Sequence, residues 1–321
     1  MAVETGTASD GADLYSKLVS FLTTNTDLVA AGQEWSEVWS GAGSYSTDKV
    51  LRGPGLAGTD SVYVGMRYTA NVATEAYAIR LVGMTGYLAS ATQFNEHINV
   101  TPDYVRMFLD ANPMTYWFVA NGRRFIVVAK IGTVYETLYG GLILPYALPT
   151  AYPLPLFIGG SAGPEDSDGP ANWRSVSDAH CFFAEPYYSS SVEASAWMLS
   201  PEGTWLRVAD TGTATSCAVY PGYIGSNGEY FGTDTNNAYL APQFVLYALM
   251  EGYGGDRALW PCAVLNNVGQ GQTYGLLDGV NRCQGYGNAA ENIITVSSVD
   301  HLVVPNVFRS SFRNYMTVAL E

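Results

Sequence analysis

Early in the chain the apolar positions Leu14, Leu18, Phe21 and Leu22 fall three or four apart, a spacing that predicts one amphipathic helix. Ser9 or Asp10 offers the N-cap, and Asp13 sits in the first turn, where an acid is favoured. After "EWSEVWSG" and a Gly-rich turn region the period changes. From about residue 60 short alternating or fully apolar runs appear, broken by Gly, Pro and Asn: "SVYVGMRY", "AYAIRLVGMTGYLA", "FIVVAKIG" and "LYGGLILPYAL". This is β-sheet texture, and it returns in "HCFFAEPYY", "TWLRVAD", "SCAVYPGYIG", "QFVLYALMEG", "NIITVSSVDHLVVPNVF" and "NYMTVALE". Between the halves, Pro149, Pro153 and Pro155 exclude a regular helix or central strand. No repeat of fixed period is visible, which speaks against a solenoid or propeller.

The strongest local signal is "NGRRFIVVAKIGTVYETLY", residues 121–139. Asn121-Gly122 is the preferred pair for a type I′ hairpin turn, which would set Phe118 opposite Phe125 and Trp117 opposite Ile126. One face of the hairpin then carries Phe118, Phe125, Val127, Ala129 and Ile131. The other carries Trp117, Val119, Ile126 and Val128, with Arg124 and Lys130 at its ends. Both faces are apolar in the middle, so the hairpin must be covered on both sides, by its own domain or by a neighbouring subunit.

These patterns predict a mainly β protein with one or two β-sandwich-like lobes and a short helical N-terminal segment. The expected organisation is a helical docking segment over 1–45, a first β lobe over 46–160 and a second over 161–321. The polar, turn-rich "GGSAGPEDSDGPANW", residues 159–173, marks the lobe boundary or a long surface loop.

Composition sharpens the picture. Of 321 residues 48% are hydrophobic and only 14% charged, against a usual charged share of about 25%. The formal net charge is −14, and lysine occurs only at Lys17, Lys49 and Lys130. A neutral surface with Arg in place of Lys suits extensive subunit contact. The acidic balance argues against nucleic acid and anionic membrane as partners, and one Arg pair supplies no phosphate-tracking stripe. No apolar run of about 18 residues predicts a membrane span, and the N-terminus lacks the pattern of a signal peptide.

Candidate chemistry is sparse. The three histidines are His97, His180 and His301. In "SVSDAHCFF" Asp178 and His180 share a strand face, but Cys181 points the other way, so a His–Cys nucleophile is disfavoured. Cys181, Cys217, Cys262 and Cys283 lack metal-ligand spacing; they are buried thiols or up to two disulfides, thiols being the default in a bacterial cytoplasm. Glu136 is an acid inside an apolar, aromatic strand. Burial would raise its pKa as in a general acid, while the plainer reading pairs it with Arg123, Arg124 or a partner subunit's arginine. Glu165, Asp166 and Asp168, and Asp234 with Asn236 and Asn237, form oxygen-rich loops without EF-hand spacing. The Gly-rich stretches "GYGGD" and "GQGQTYG" form no phosphate loop, so no cofactor or metal is expected. The 23 tyrosines and seven tryptophans suit core, subunit interface or a sugar-stacking platform.

Three blocks, "ETGTASDGADLYSKLVSFLTTN", "YWFVANGRRFIVVAKIGTVYETLYGGLILPYALPTAYPLPLFIGGS" and "YGLLDGVNRCQGYGNAAENIITVSSVDHLVVPNVFRSS", resemble a family of tailed-bacteriophage and prophage structural proteins. They span nearly the whole chain in order and carry no catalytic motif. The sequence departs from the family pattern at Asn281-Arg282-Cys283, where an aromatic, hydrophobic pair is expected; a local change of contact or a disulfide is implied there. The resemblance implies a non-enzymatic virion subunit, assembled in the host cytoplasm into the tail, baseplate or tail-tip region. Other virion subunits and further copies of the chain are its implied partners. Leu14, Leu18 and Phe21 are the expected docking stripe, and Arg123, Arg124 and Glu136 the expected interface charges. A head-decoration or neck protein, a module binding host-surface glycan and a glycan-cleaving tail enzyme are the alternatives.

Overall fold

Three antiparallel strands, Met114–Ala120, Arg124–Ile131 and Val134–Leu142, form the wall on which the rest of the chain is built. The computed structural model describes residues 1–55, 60–163, 196–208, 216–220, 259–266, 273–283, 287–305, 307 and 315–321. In chain order the strands are β1 (Ala2–Ala8), β2 (Ser36–Ser40), β3 (Lys49–Gly53), β4 (Val62–Asn71), β5 (Ala76–Met84) and β6 (Val105–Leu109). The wall strands are β7, β8 and β9, followed by β10 (Leu144–Pro145), β11 (Leu156–Gly159), β12 (Ala196–Leu199), β13 (Trp205–Val208) and β14 (Ser216–Tyr220). The last are β15 (Trp260–Asn266), β16 (Thr273–Cys283), β17 (Ile293–Val296), β18 (Val299–Pro305) and β19 (Tyr315–Ala319). Two helices, α1 (Gly11–Thr24) and α2 (Thr26–Ala30), lie between β1 and β2. The protein is mainly β, as its patterning predicts.

The described strands make two sheets. A five-stranded sheet runs in chain order from β2 to β6. A long sheet begins β1-β7-β8-β9-β11-β12, crosses β13, β14 and β15, and ends β16-β19-β18-β17, with β10 paired to β16. Its pairings are antiparallel except β13 with β14.

Two cores explain why the wall is apolar on both faces. On one side Phe118, Phe125, Val127, Ala129 and Ile131 pack with Leu51, Val64, Met66, Ile79, Leu81 and Met107 of the five-stranded sheet, forming a sandwich. On the other side Val119, Ile126 and Val128 join Val264, Leu277, Val280, Leu302, Met316 and Val318, because the long sheet curls back on itself. The two faces are those read from the alternation, and both are covered by the chain itself. The sheet also continues past residue 160: β11 pairs with β9 on one side and β12 on the other.

The N-terminal segment is woven in rather than left to dock on a neighbour. β1 pairs with β7 from Ala2↔Ala120 to Ala8↔Met114, and β2 is an edge of the five-stranded sheet. Asp10 caps α1 by accepting from the Asp13 N–H at 2.8 Å. The stripe Leu14, Leu18, Phe21 and Leu22 is buried in the sandwich core, with Phe21 against Phe118 at 5.5 Å between ring centres. A 14-residue helix is marginal alone, so its apolar stripe gains most by covering the end of the chain's own sandwich. Among the described residues no helix is long and apolar enough to cross a membrane.

Candidate functional site

The β7–β8 hairpin closes differently from a type I′ Asn-Gly turn. The partners are Phe118↔Val127 and Val119↔Ile126, and the Asn121 N–H donates to the Arg124 carbonyl at 2.9 Å. The tip is therefore Gly122-Arg123, and neither Asn121 nor Gly122 takes a positive φ. Asn121 works through its side chain instead: Oδ1 accepts from the backbone N–H groups of Arg123 at 2.8 Å and Arg124 at 3.0 Å, an Asx turn. Gly122 is required for space. A Cβ there would lie 2.5 Å from the Gly55 carbonyl oxygen, while the Gly55 N–H donates to the Gly122 carbonyl at 2.8 Å. The Trp35 indole N–H donates to the Asn121 carbonyl at 2.8 Å, so segments before and after β3 clasp the tip.

The two arginines face an acid of their own chain. Arg124, only 1% exposed, places Nε 3.3 Å from Asp278 Oδ2 on β16. Arg123, with its side chain 23% exposed, reaches the same oxygen with Nη2 at 3.7 Å. The Tyr139 hydroxyl donates to the Leu142 carbonyl at 2.8 Å and accepts from the Asp278 N–H at 3.3 Å. Gly279 has φ +74° and lies where any side chain would strike the Arg124 guanidinium. Both arginines thus have an internal partner, which ties the wall to β16. Asp278 was not among the expected residues. Its only sequence signal is an acid inside the apolar strand "YGLLDGV", the same signal that singles out Glu136.

Glu136 pairs with neither arginine. It lies opposite Ala129 on the sandwich face, whereas Arg124 belongs to the other face of the wall. Its carboxyl is fully buried, and neither oxygen makes a well-formed hydrogen bond among the described residues. Burial pushes its pKa up to about 7, with the nearby Ser161 hydroxyl and Phe108 backbone N–H pulling it partly back. Among the described residues no charged neighbour contributes. Glycoside hydrolysis needs two carboxyl groups flanking a substrate, and among the described residues Glu136 meets neither a second acid nor solvent.

Other charged pairs also serve the fold. Arg67 holds Asp48 through two bonds of 2.6 and 2.7 Å between the rings of Tyr45 and Phe94, and Asp48 accepts the Phe94 N–H at 3.0 Å. Lys130 and Tyr135 both meet Glu291. Cys262 and Cys283 are free, buried thiols, and burial pushes both pKa values up to about 12. Arg282, between Asn281 and Cys283, is buried, and no disulfide forms at that departure from the family pattern. Desolvation lowers the pKa of both His97 and His301. Among the described residues no three His, Cys, Asp or Glu side chains cluster as metal ligands. Asp178, His180, Cys181, the Cys217 side chain and both oxygen-rich loops, at 165–168 and 234–237, lie outside the described residues.

Among the described residues the surface also carries large apolar and aromatic side chains. Tyr146 and Leu148, on the loop between β10 and β11, are 63% and 73% exposed. Tyr87, Leu88 and Ile98 are exposed on the loop between β5 and β6, where an isolated bridge joins Gly86 to Ile98, and Tyr87 leans on Tyr63 at 6.2 Å. No protein-family model matches the chain, and no curated protein matches it either.

Proposed function

We propose that the protein is a structural subunit of a tailed-phage virion, in the tail, baseplate or tail-tip region, acting through contacts with neighbouring subunits. The observation that carries this reading is the division of side chains between inside and outside. Arg124, Glu136, Asp48 and Arg282 are buried, while Tyr87, Leu88, Ile98, Tyr146 and Leu148 stand in solvent. Apolar side chains grouped on braced surface loops are what a partner surface covers. The resemblance of the three sequence blocks to phage structural proteins supports the same reading, as does the low charge.

Gold-labelled antibody imaging of intact virions tests it. Label at the tail end is the expected result; label on the head or neck moves the subunit to the decoration or collar reading. No label on intact particles, with the epitope shown to be accessible, overturns the virion assignment. A second reading, a host-glycan platform, is favoured by the exposed Tyr87 ring beside Tyr63. It expects binding of host polysaccharide that Tyr87→Ala abolishes; binding unchanged by that substitution removes this surface from consideration.

A further inference from the structure

The five-stranded sheet is tied to the long sheet along a seam at β6. The Arg106 N–H donates to the Ala162 carbonyl at 2.7 Å, and the Arg106 carbonyl accepts from the N–H groups of Ser161 at 2.7 Å and Ala162 at 3.1 Å. The chain just after β11 thus closes the open edge of β6. Ser161 completes the seam: its hydroxyl accepts the Thr137 N–H at 3.0 Å and lies 3.4 Å from the Thr137 carbonyl, binding β9. Gly160 permits the close approach, since a Cβ there would stand 2.5 Å from the Arg106 carbonyl oxygen.

Glu136 lies immediately behind this seam, next to Thr137 and fully buried. From β8 it faces Ala129, from β6 the backbone of Phe108, and from the 160–162 segment the Ser161 hydroxyl. The charged groups of these elements, and of β4 and β5 that also pack on β9, are directed elsewhere: Arg67 holds Asp48, and the Arg80 guanidinium lies over the Tyr104 ring 4.5 Å away. The Arg106 guanidinium donates to the Gly163 carbonyl at 2.6 Å, and Asp110 accepts from the Ala111 N–H and from Asn112. Lys130 meets Glu291 on the opposite face of the wall, and Arg124 meets Asp278. Among the described residues an ionised carboxylate in this position has no compensating charge and is stabilised only by reaching water, and the seam is the backbone joint directly beside it.

We propose that Glu136 is a pH-operated latch on the β6 seam: protonated, it keeps the seam closed over the sandwich core, and loss of the proton opens the seam to water. The carboxyl O–H bond breaks as its proton passes to a solvent water, and no other covalent bond changes. The open state presents β6 as a free strand edge. This goes beyond the virion reading and does not depend on it. A pKa about 7 when closed and an ordinary value when open make the opening constant rise about thirtyfold from about pH 5.5 to about pH 8.5.

Residue-resolved amide hydrogen exchange on the full chain tests the latch at those two pH values, corrected for the intrinsic pH dependence of exchange. The Arg106, Ser161 and Ala162 amides are expected to accelerate about thirtyfold in the wild type and not in Glu136→Gln. They should also exchange faster than the Val127 and Ala129 amides of β8. No acceleration, acceleration that persists in Glu136→Gln, or seam amides that exchange together with β8 overturns the proposal. If Glu136→Gln does not fold, infrared titration of the wild-type carboxyl decides: a buried protonated carboxyl lost together with seam protection supports the latch. A carboxyl already ionised at the lower pH overturns it.

Discussion

Removing Arg124 should unfold the protein more readily than it disturbs any contact with another chain. The Arg124 guanidinium is 1% exposed and sits 3.3 Å from Asp278, so its loss leaves a largely buried carboxylate without its closest partner. Breaking a buried pair by deleting one member costs about 3–5 kcal/mol. Arg123 points at the same oxygen from 3.7 Å but is 23% exposed, and an exposed ion pair contributes below about 1 kcal/mol. Urea denaturation of Arg124→Ala, Arg123→Ala, Asp278→Ala and the paired doubles measures both terms. Arg124→Ala and Asp278→Ala should each cost about 3 kcal/mol or more, with a coupling of about 2 kcal/mol in the double mutant. Arg123→Ala should stay below about 1 kcal/mol. Equal costs for the two arginines, or no coupling between Arg124 and Asp278, would refute the internal pin.

Four further outcomes follow from the same geometry. Glu136→Gln should match the wild type in stability below about pH 4.5 and exceed it by about 3 kcal/mol above about pH 7. The sign follows from a folded-state pKa raised above the unfolded one: the wild type loses stability as pH rises between the two values, and a stability difference independent of pH in denaturation curves would refute it. Asp10→Ala removes the cap on the Asp13 N–H and should lower stability by about 1 kcal/mol in the same assay. Gly122→Ala drives a methyl group against the Gly55 carbonyl and should cost about 1–3 kcal/mol, read as a lower thermal midpoint. In a Cys181→Ser, Cys217→Ser background, Cys262 and Cys283 should resist a thiol reagent at about pH 8 until denaturant is added, because the thiolate is the reactive form.

The chain's own patterning determined the class of fold and the direction of most wall side chains. α1 was legible down to its cap, since capping and a three-to-four spacing are local properties. The two apolar faces of β7 and β8 are legible in the alternation even though the turn between them is not the Asn-Gly type its sequence predicts. The observed register differs from that of an Asn-Gly turn by two residues, and a shift of two returns every side chain to the same face. The turn itself was decided by tertiary structure, because Trp35 and Gly55 hold the Asn121 and Gly122 carbonyls from a segment 66 or more residues earlier in the chain. The partner of Arg124 lies on β16 and the seam behind Glu136 on the chain after β11, so no local pattern joins either pair. Whether a strand acid is paired like Asp278 or solitary like Glu136 depends on which strands the sheets bring opposite it. Periodicity fixes which face a residue takes, and only the folded sheets supply what lies across from that face.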